Sequence, residues 1–152
     1  GPRDDGGWQL EAEACRKSGI TLLDFTARSR AAPSKSMLHD AKSLFAEIKK
    51  PVLMHCKSGA DRAGLMSALY LLIAENKPAS IAMRQLAWKY GHVKAAKTGL
   101  LDAFFVAYLP YEKDGMGFYD WVDQIYDPAA LTAQFQAEGW AVRLIDTILR
   151  RE

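Results

Sequence analysis

Residues 51–64 read PVLMHCKSGADRAG, and this stretch predicts a buried strand, a tight loop and the start of a helix. An apolar run over residues 52–54 leads to Cys56, and an apolar-rich helix begins near Arg62. The loop between them contains mostly small side chains, so consecutive backbone N–H groups can turn inward and form an anion-binding nest. The helix N-terminus directs its partial positive charge at the same spot. The stretch therefore predicts an anion site with a cysteine at its base.

Cys56 is the predicted nucleophile of this site, and Arg62 is its predicted anion clamp. Loop amides, a helix end and a cation all stabilise a thiolate, so we expect the pKa of Cys56 to lie well below the free value of about 8.5. A guanidinium six positions later can bind a tetrahedral oxyanion through two parallel N–H bonds. The predicted phosphate-binding residues are Lys57, Ser58, Gly59, Ala60, Asp61 and Arg62.

The pattern resembles the active-site loop of the cysteine-dependent protein tyrosine and dual-specificity phosphatases. Their loop has His-Cys, five residues and Arg, with Gly three positions after the Cys, and His55, Cys56, Gly59 and Arg62 match it. The resemblance implies hydrolysis of phosphomonoesters through a cysteinyl-phosphate intermediate, with no metal or other cofactor. The simpler interpretation is a buried structural cysteine and a surface arginine that happen to be six positions apart.

The resemblance also implies an α/β fold, with a parallel-rich central sheet flanked by helices and with extra C-terminal helices. Only two strands are predicted, over residues 20–25 and 52–55. Because the family has further strands before this region, we expect N-terminal strands upstream of the first residue. The chain is interpreted as one domain over 1–152, with a catalytic core over about 1–110 and a helical extension over 111–152.

Helical periodicity accounts for most of the remaining chain. The predicted helices cover residues 6–17, 34–49 with Ser34 as the cap, 64–76, 79–89, 100–111, 118–126 and 140–150, with a further short helix starting at 127–128. Residues 91–97, Gly-His-Val-Lys-Ala-Ala-Lys, form a basic connector. This connector either reaches the site or is an ordinary exposed loop.

The chain departs from the family pattern in the loop over residues 26–33. The resemblance implies that this loop carries the aspartic acid that protonates the leaving oxygen, but the matching place holds Arg28, Ser29 and Arg30. With Lys57, the two arginines form either a positive rim for polyanionic substrates or a set of solvated surface charges.

Two carboxylates are candidates for the missing acid, and substrate-assisted or water-mediated protonation is the remaining alternative. Asp24 precedes Cys56 by 32 residues, a spacing typical of the dual-specificity branch, although it lies several residues before the loop. Asp61 directly precedes Arg62, an arrangement similar to that of some bacterial lipid and inositol phosphate phosphatases, and we favour it. Purely structural roles remain open, as a carboxylate bonded to backbone for Asp24 and a charge at a helix N-terminus for Asp61.

Ala63 is a second departure, because the family normally has Ser or Thr directly after the arginine. That hydroxyl stabilises the thiolate as it leaves phosphorus, so Ala63 predicts slow breakdown of the phosphoenzyme. Together the two departures keep an alternative open: a catalytically weak pseudophosphatase that binds phosphorylated partners without turning them over.

Composition limits the remaining classes of function. The chain has 152 residues, 49% hydrophobic and 25% charged, and its net charge of +2 is too small to indicate nucleic-acid binding. Two cysteines, Cys15 and Cys56, do not form a disulfide or metal framework. A thiolate nucleophile needs a reducing compartment, so we expect the cytoplasm. The expected partners are phosphorylated proteins or phospholipids, with peripheral membrane contact as a further alternative and the oligomeric state undetermined.

Overall fold

The computed structural model describes residues 6–137, and helices form the framework of this region. The α-helices are α1 (Gly6–Lys17), α2 (Lys35–Glu47), α3 (Asp61–Ile73), α4 (Ala79–Ala82), α5 (Leu100–Lys113) and α6 (Phe118–Gln124), with 3-10 helices at Met83–Gln85, Trp88–Tyr90 and Lys97–Gly99. Residues 128–137 are also helical, which confirms the predicted start at 127–128. The predicted helix over 140–150 lies outside the described residues.

The predicted central sheet is wrong, since residues 6–137 contain no strand. Residues 20–25 and 52–55 are not helical, but neither segment pairs with another strand in this region. A strand is defined by hydrogen bonds to a neighbour, and a short apolar run does not supply that neighbour. The side chains of the two segments are not covered by a neighbouring strand of the described region. Leu53 is 87% exposed and Leu23 is 57% exposed, so these two apolar side chains do not form part of the core.

Helix α3 lies at the centre of the hydrophobic core. Its sequence from Leu65 to Ile73 is almost entirely apolar, which is typical of a helix that is buried on most sides. It packs against α2, α4 and the 3-10 helix Met83–Gln85. The buried residues of α3 are Ala63, Gly64, Leu65, Met66, Ala68, Leu69 and Leu72. Because α3 is held on several sides, its first turn provides a fixed support for the loop that precedes it.

Helix α2 begins where the sequence predicted. The side chain of Ser34 accepts a hydrogen bond from the Met37 backbone N–H at 3.2 Å and caps the helix N-terminus.

The predicted helix over 79–89 is only partly present, because the α-helix ends at Ala82 and 3-10 turns follow. Gln85 lies directly over Gly64 of α3, where a Cβ would be 3.0 Å from the Gln85 carbonyl oxygen. This close backbone approach accompanies the break in regular helix.

An aromatic cluster joins α5 and α6 to the same core. Trp121 is 2% exposed and stacks on Tyr126 with a centroid distance of 4.9 Å, while Phe104 contacts both rings. The hydroxyl of Tyr126 donates to the Pro33 carbonyl at 2.7 Å, and Tyr119 donates to the Leu38 carbonyl at 3.0 Å. The segment after residue 111, expected as an extension, therefore contributes central core side chains up to at least Tyr126.

Helix α1 confirms the prediction for residues 6–17 but contributes no buried residue. Two polar contacts connect it to the rest of the protein. Trp8 Nε1 donates to the carboxylate of Asp24 at 3.1 Å, and Glu11 Oε1 lies 2.5 Å from His55 Nε2. Among the helices of the described region, none combines the length and the hydropathy needed to cross a bilayer.

Candidate active site

The loop that joins Cys56 to α3 needs glycine at one position. Gly59 has φ of +71°, in the left-handed region, and a Cβ built there meets nothing within 4 Å. The requirement at Gly59 is therefore backbone conformation and not space. Ala60 follows, is buried, and accepts the Gly64 N–H at 2.8 Å, which starts the hydrogen bonding of α3. This arrangement leaves the preceding loop amides available to a ligand or a side chain.

Cys56 is partly buried at the base of this loop. Burial by itself would raise the pKa of the Cys56 thiol. Hydrogen bonds from the backbone amides of Ala63, Ser58 and Gly59 favour the thiolate instead. The positive charge of Arg62 acts in the same direction, and together these effects lower the pKa of Cys56 below its ordinary value. These surroundings favour the thiolate form of Cys56.

Arg62 lies in the first turn of α3, partly buried, one residue after Asp61. Within residues 6–137, no carboxylate forms an ion pair with its guanidinium. Its charge is therefore not neutralised by an acid of this region, and it favours the thiolate form of Cys56. A guanidinium available in this way can bind the oxygens of a tetrahedral anion in a bidentate geometry.

Asp61 is held by a buried histidine that the sequence placed only on a connector. His92 Nδ1 lies 2.8 Å from Asp61 Oδ1, and His92 Nε2 lies 2.6 Å from Asp102 Oδ2. His92 is 2% exposed and Asp102 is 4% exposed. Burial alone would lower the pKa of His92, but hydrogen bonds and charges from Asp102 and Asp61 raise it. The connector over 91–97 therefore does reach the loop.

Asp24, the other predicted acid, has a different environment. It is exposed and binds the indole N–H of Trp8 through both carboxylate oxygens, at 3.3 and 3.1 Å. This contact connects it to α1. The side chains of the predicted basic rim, Lys57, Arg28 and Arg30, are all exposed.

A family scan matches residues 15–84 to the family described as tyrosine phosphatase family. The match covers a little under half of the chain and includes the whole loop from Cys56 to Arg62. This match supports a superfamily of the protein tyrosine phosphatase type for this chain. The predicted resemblance is thereby confirmed, and phosphatase is the general class of activity that the match supports. Neither the curated proteins nor the solved structures give a match to this chain.

Two residues that shape this candidate site, His92 and Asp102, lie beyond the matched segment, and sequence reasoning missed them as functional candidates. The sequence predicts His92 only as part of a connector and predicts no role for Asp102. One signal in the sequence could have found Asp102: it is the only charged residue within the apolar run Leu100–Leu109. A carboxylate in such a run has to find a partner when the helix is buried. The sequence does not say that the partner is His92, since that depends on how α5 packs.

Proposed function

We propose that this protein is a cysteine-dependent phosphatase of the protein tyrosine or dual-specificity type. The observation that carries the proposal is the environment of Cys56, whose sulfur receives amide hydrogen bonds from its own loop and faces the charge of Arg62. The same amides and guanidinium suit the equatorial oxygens of a phosphoryl group. The binding loop consists of Lys57, Ser58, Gly59, Ala60, Asp61 and Arg62.

The proposed reaction has two steps. In the first, the Cys56 thiolate attacks phosphorus, an S–P bond forms, and the P–O bond to the leaving group breaks as an acid protonates the departing oxygen. In the second, water attacks phosphorus and gives a proton to the carboxylate that acted as the acid, the S–P bond breaks, and inorganic phosphate and the thiolate are released. Arg62 and the loop amides stabilise the charge of both transition states.

Asp61 is the acid that the surroundings favour, because it lies in the phosphate-binding loop beside Arg62. Its carboxylate contacts His92, whose imidazolium can pass a proton to Asp61 as Asp61 protonates the leaving oxygen. Asp24 is the second candidate, although its carboxylate is exposed and bound to Trp8. A comparison of Asp61→Asn with Asp24→Asn separates them. Loss of the acid slows hydrolysis of an alkyl phosphate far more than that of an aryl phosphate with a good leaving group. If neither variant shows this difference, both assignments fail.

The proposed substrates are phosphotyrosine or phosphoserine/threonine proteins, or an anionic lipid or inositol phosphate. Exposed cations at Lys57, Arg28 and Arg30 suit substrates with more than one negative charge. The protein is proposed to act in the cytoplasm, because the thiolate requires reducing conditions, and peripheral contact with a membrane fits the lipid substrates. A panel of phosphopeptides and phospholipids in detergent decides between the two classes.

The decisive experiment is turnover of p-nitrophenyl phosphate by Cys56→Ser, with Cys15→Ser as the matched control. Cys15 lies on α1, outside the loop. We expect Cys56→Ser to lose activity while still binding inorganic phosphate, and Cys15→Ser to retain activity. Turnover by Cys56→Ser equal to that of the unmodified protein would refute the mechanism.

A pseudophosphatase is the second candidate, favoured by the absence of a hydroxyl at Ala63 and of an acid in the loop over 26–33. It would bind phosphate and vanadate at the same loop and release no product. Vanadate binding without turnover of any member of the substrate panel identifies this case.

A further inference from the structure

His92 lies in a connector that packs directly against the phosphate-binding loop. The preceding residue, Gly91, has φ of +81°, and a Cβ there would be 3.5 Å from the Cβ of Ala60. The connector therefore passes close to the residue that precedes α3. His92 then enters the interior and is among the largest fully buried side chains of the described region.

Both ring nitrogens of His92 are used by carboxylates. An ionised carboxylate only accepts hydrogen bonds, so two such partners require a proton on each nitrogen. The ring is then an imidazolium between Asp61 and Asp102, and no lone pair remains for a metal. In the resting protein, the three residues form a charge network in which His92 and Asp102 are buried and Asp61 is partly exposed.

This network acts on the nucleophile through the first turn of α3. Asp61 begins that turn, and two residues later the amide of Ala63 donates to the Cys56 sulfur. Without the imidazolium, Asp61 would bring an uncompensated negative charge beside a thiolate. It would also lose the contact that fixes the turn. Both losses oppose ionisation of Cys56.

We propose that His92 is a positioning residue, which holds Asp61 and the first turn of α3 so that Ala63 and Arg62 stay directed at Cys56. The consequence of this positioning for catalysis rests on the proposed phosphatase function. The effect of His92 on the pKa of Cys56 is independent of that function, because ionisation of the thiol can be measured without any substrate.

The test measures the rate of Cys56 alkylation by iodoacetamide against pH, in a Cys15→Ser background where Cys56 is the single thiol. We expect His92→Asn and Asp102→Asn to raise the pKa of Cys56, so that alkylation at pH 6 slows about tenfold. His39→Asn is the matched control, since His39 Nε2 also pairs with an aspartate, Asp123, at 2.8 Å but on the exposed surface. It should leave the profile unchanged.

An alkylation profile of folded His92→Asn or Asp102→Asn that matches the parent profile overturns the proposal. A parent that shows the low thiol pKa but hydrolyses no phosphomonoester contradicts the phosphatase function alone. These two failures are therefore distinguishable.

A second measurement uses the protein without substitution at His92 and does not depend on the folding of that variant. The imidazole ¹⁵N resonances of the three histidines are followed against pH, and His39→Asn and His55→Asn assign His92 by difference. We expect His92 to stay doubly protonated through neutral pH. Titration of His92 near the ordinary value of about 6.5 overturns the proposal.

Discussion

His92 Nε2 and Asp102 Oδ2 lie 2.6 Å apart, in a hydrogen bond that joins the connector over 91–97 to the first turn of α5. Both side chains are almost completely removed from solvent. A buried charge pair is costly to break, because the remaining charge loses both its partner and its hydration. This contact therefore links the stability of the fold to the protonation of one histidine.

The first prediction concerns stability against pH. The pKa of His92 is raised in the folded protein and lies near 6.5 in the unfolded chain, so the folded state holds the proton more tightly. The stabilisation is complete below about pH 6.5 and is lost as pH rises through the folded pKa. Urea unfolding at a series of pH values measures the free energy of unfolding. We expect His92→Asn to weaken its decrease with rising pH, whereas His39→Asn should retain that decrease.

The opposing contribution of Cys56 has to be removed in that experiment. The lowered pKa of Cys56 stabilises the fold as pH rises towards the value of a free thiol. Both histidine variants are therefore compared in a Cys56→Ser background. Equal slopes in the parent and in His92→Asn would contradict a protonated, buried His92.

The second prediction concerns Gly59. Alanine at this position is disfavoured mainly because an L side chain in the left-handed region costs about 1–2 kcal/mol. We expect the loop to relieve this strain by turning its amides away from Cys56. We expect Gly59→Ala to lower kcat/KM for an aryl phosphate about 100-fold. Gly115→Ala is the matched control, since its φ is +85° and a Cβ there is also free of contacts. Full activity of Gly59→Ala would contradict the role of the loop amides.

The third prediction concerns the aromatic cluster. Trp121 is 2% exposed and packs on Tyr126 and Phe104, so Trp121→Ala should cost about 3–5 kcal/mol in the free energy of unfolding. Trp88 is 84% exposed, and Trp88→Ala should cost less than about 0.5 kcal/mol. Urea unfolding followed by far-UV circular dichroism measures both. Similar losses in the two variants would show that α6 is not part of the core.

The fourth prediction concerns the lifetime of the phosphoenzyme. Ala63 has no hydroxyl to stabilise the departing thiolate, so the parent should show a burst of product followed by slow turnover. A hydrogen bond to a charged group contributes about 1.5–3 kcal/mol, so Ala63→Ser should speed breakdown about tenfold or more. Rapid-quench kinetics with an aryl phosphate separates the two steps. A parent phosphoenzyme that decays as fast as it forms contradicts this reasoning.

Most of the structural features that the sequence predicted correctly depend on local patterns. The helix over 6–17, the helix predicted over 100–111 and found over 100–113, and the cap at Ser34 follow from periodicity and capping, which are properties of neighbouring residues. The anion loop was likewise readable, because Cys56 and Arg62 are only six positions apart. The sheet failed as a prediction for the opposite reason. Its pairing depends on distant partners, which residues 20–25 and 52–55 do not have in the described region.

The sequence by itself determined the short loop between Cys56 and Arg62, the proposed nucleophile and clamp, since a glycine turn and a helix start act over a few residues. Only the tertiary structure decided that His92 and Asp102 support this loop, from 31 and 41 residues beyond Asp61. A buried charge is stable only where packing brings its counter-charge within hydrogen-bond distance. The proximity of His92 to Asp61 and Asp102 depends on how α3, α5 and the connector pack together, and no local sequence pattern encodes it.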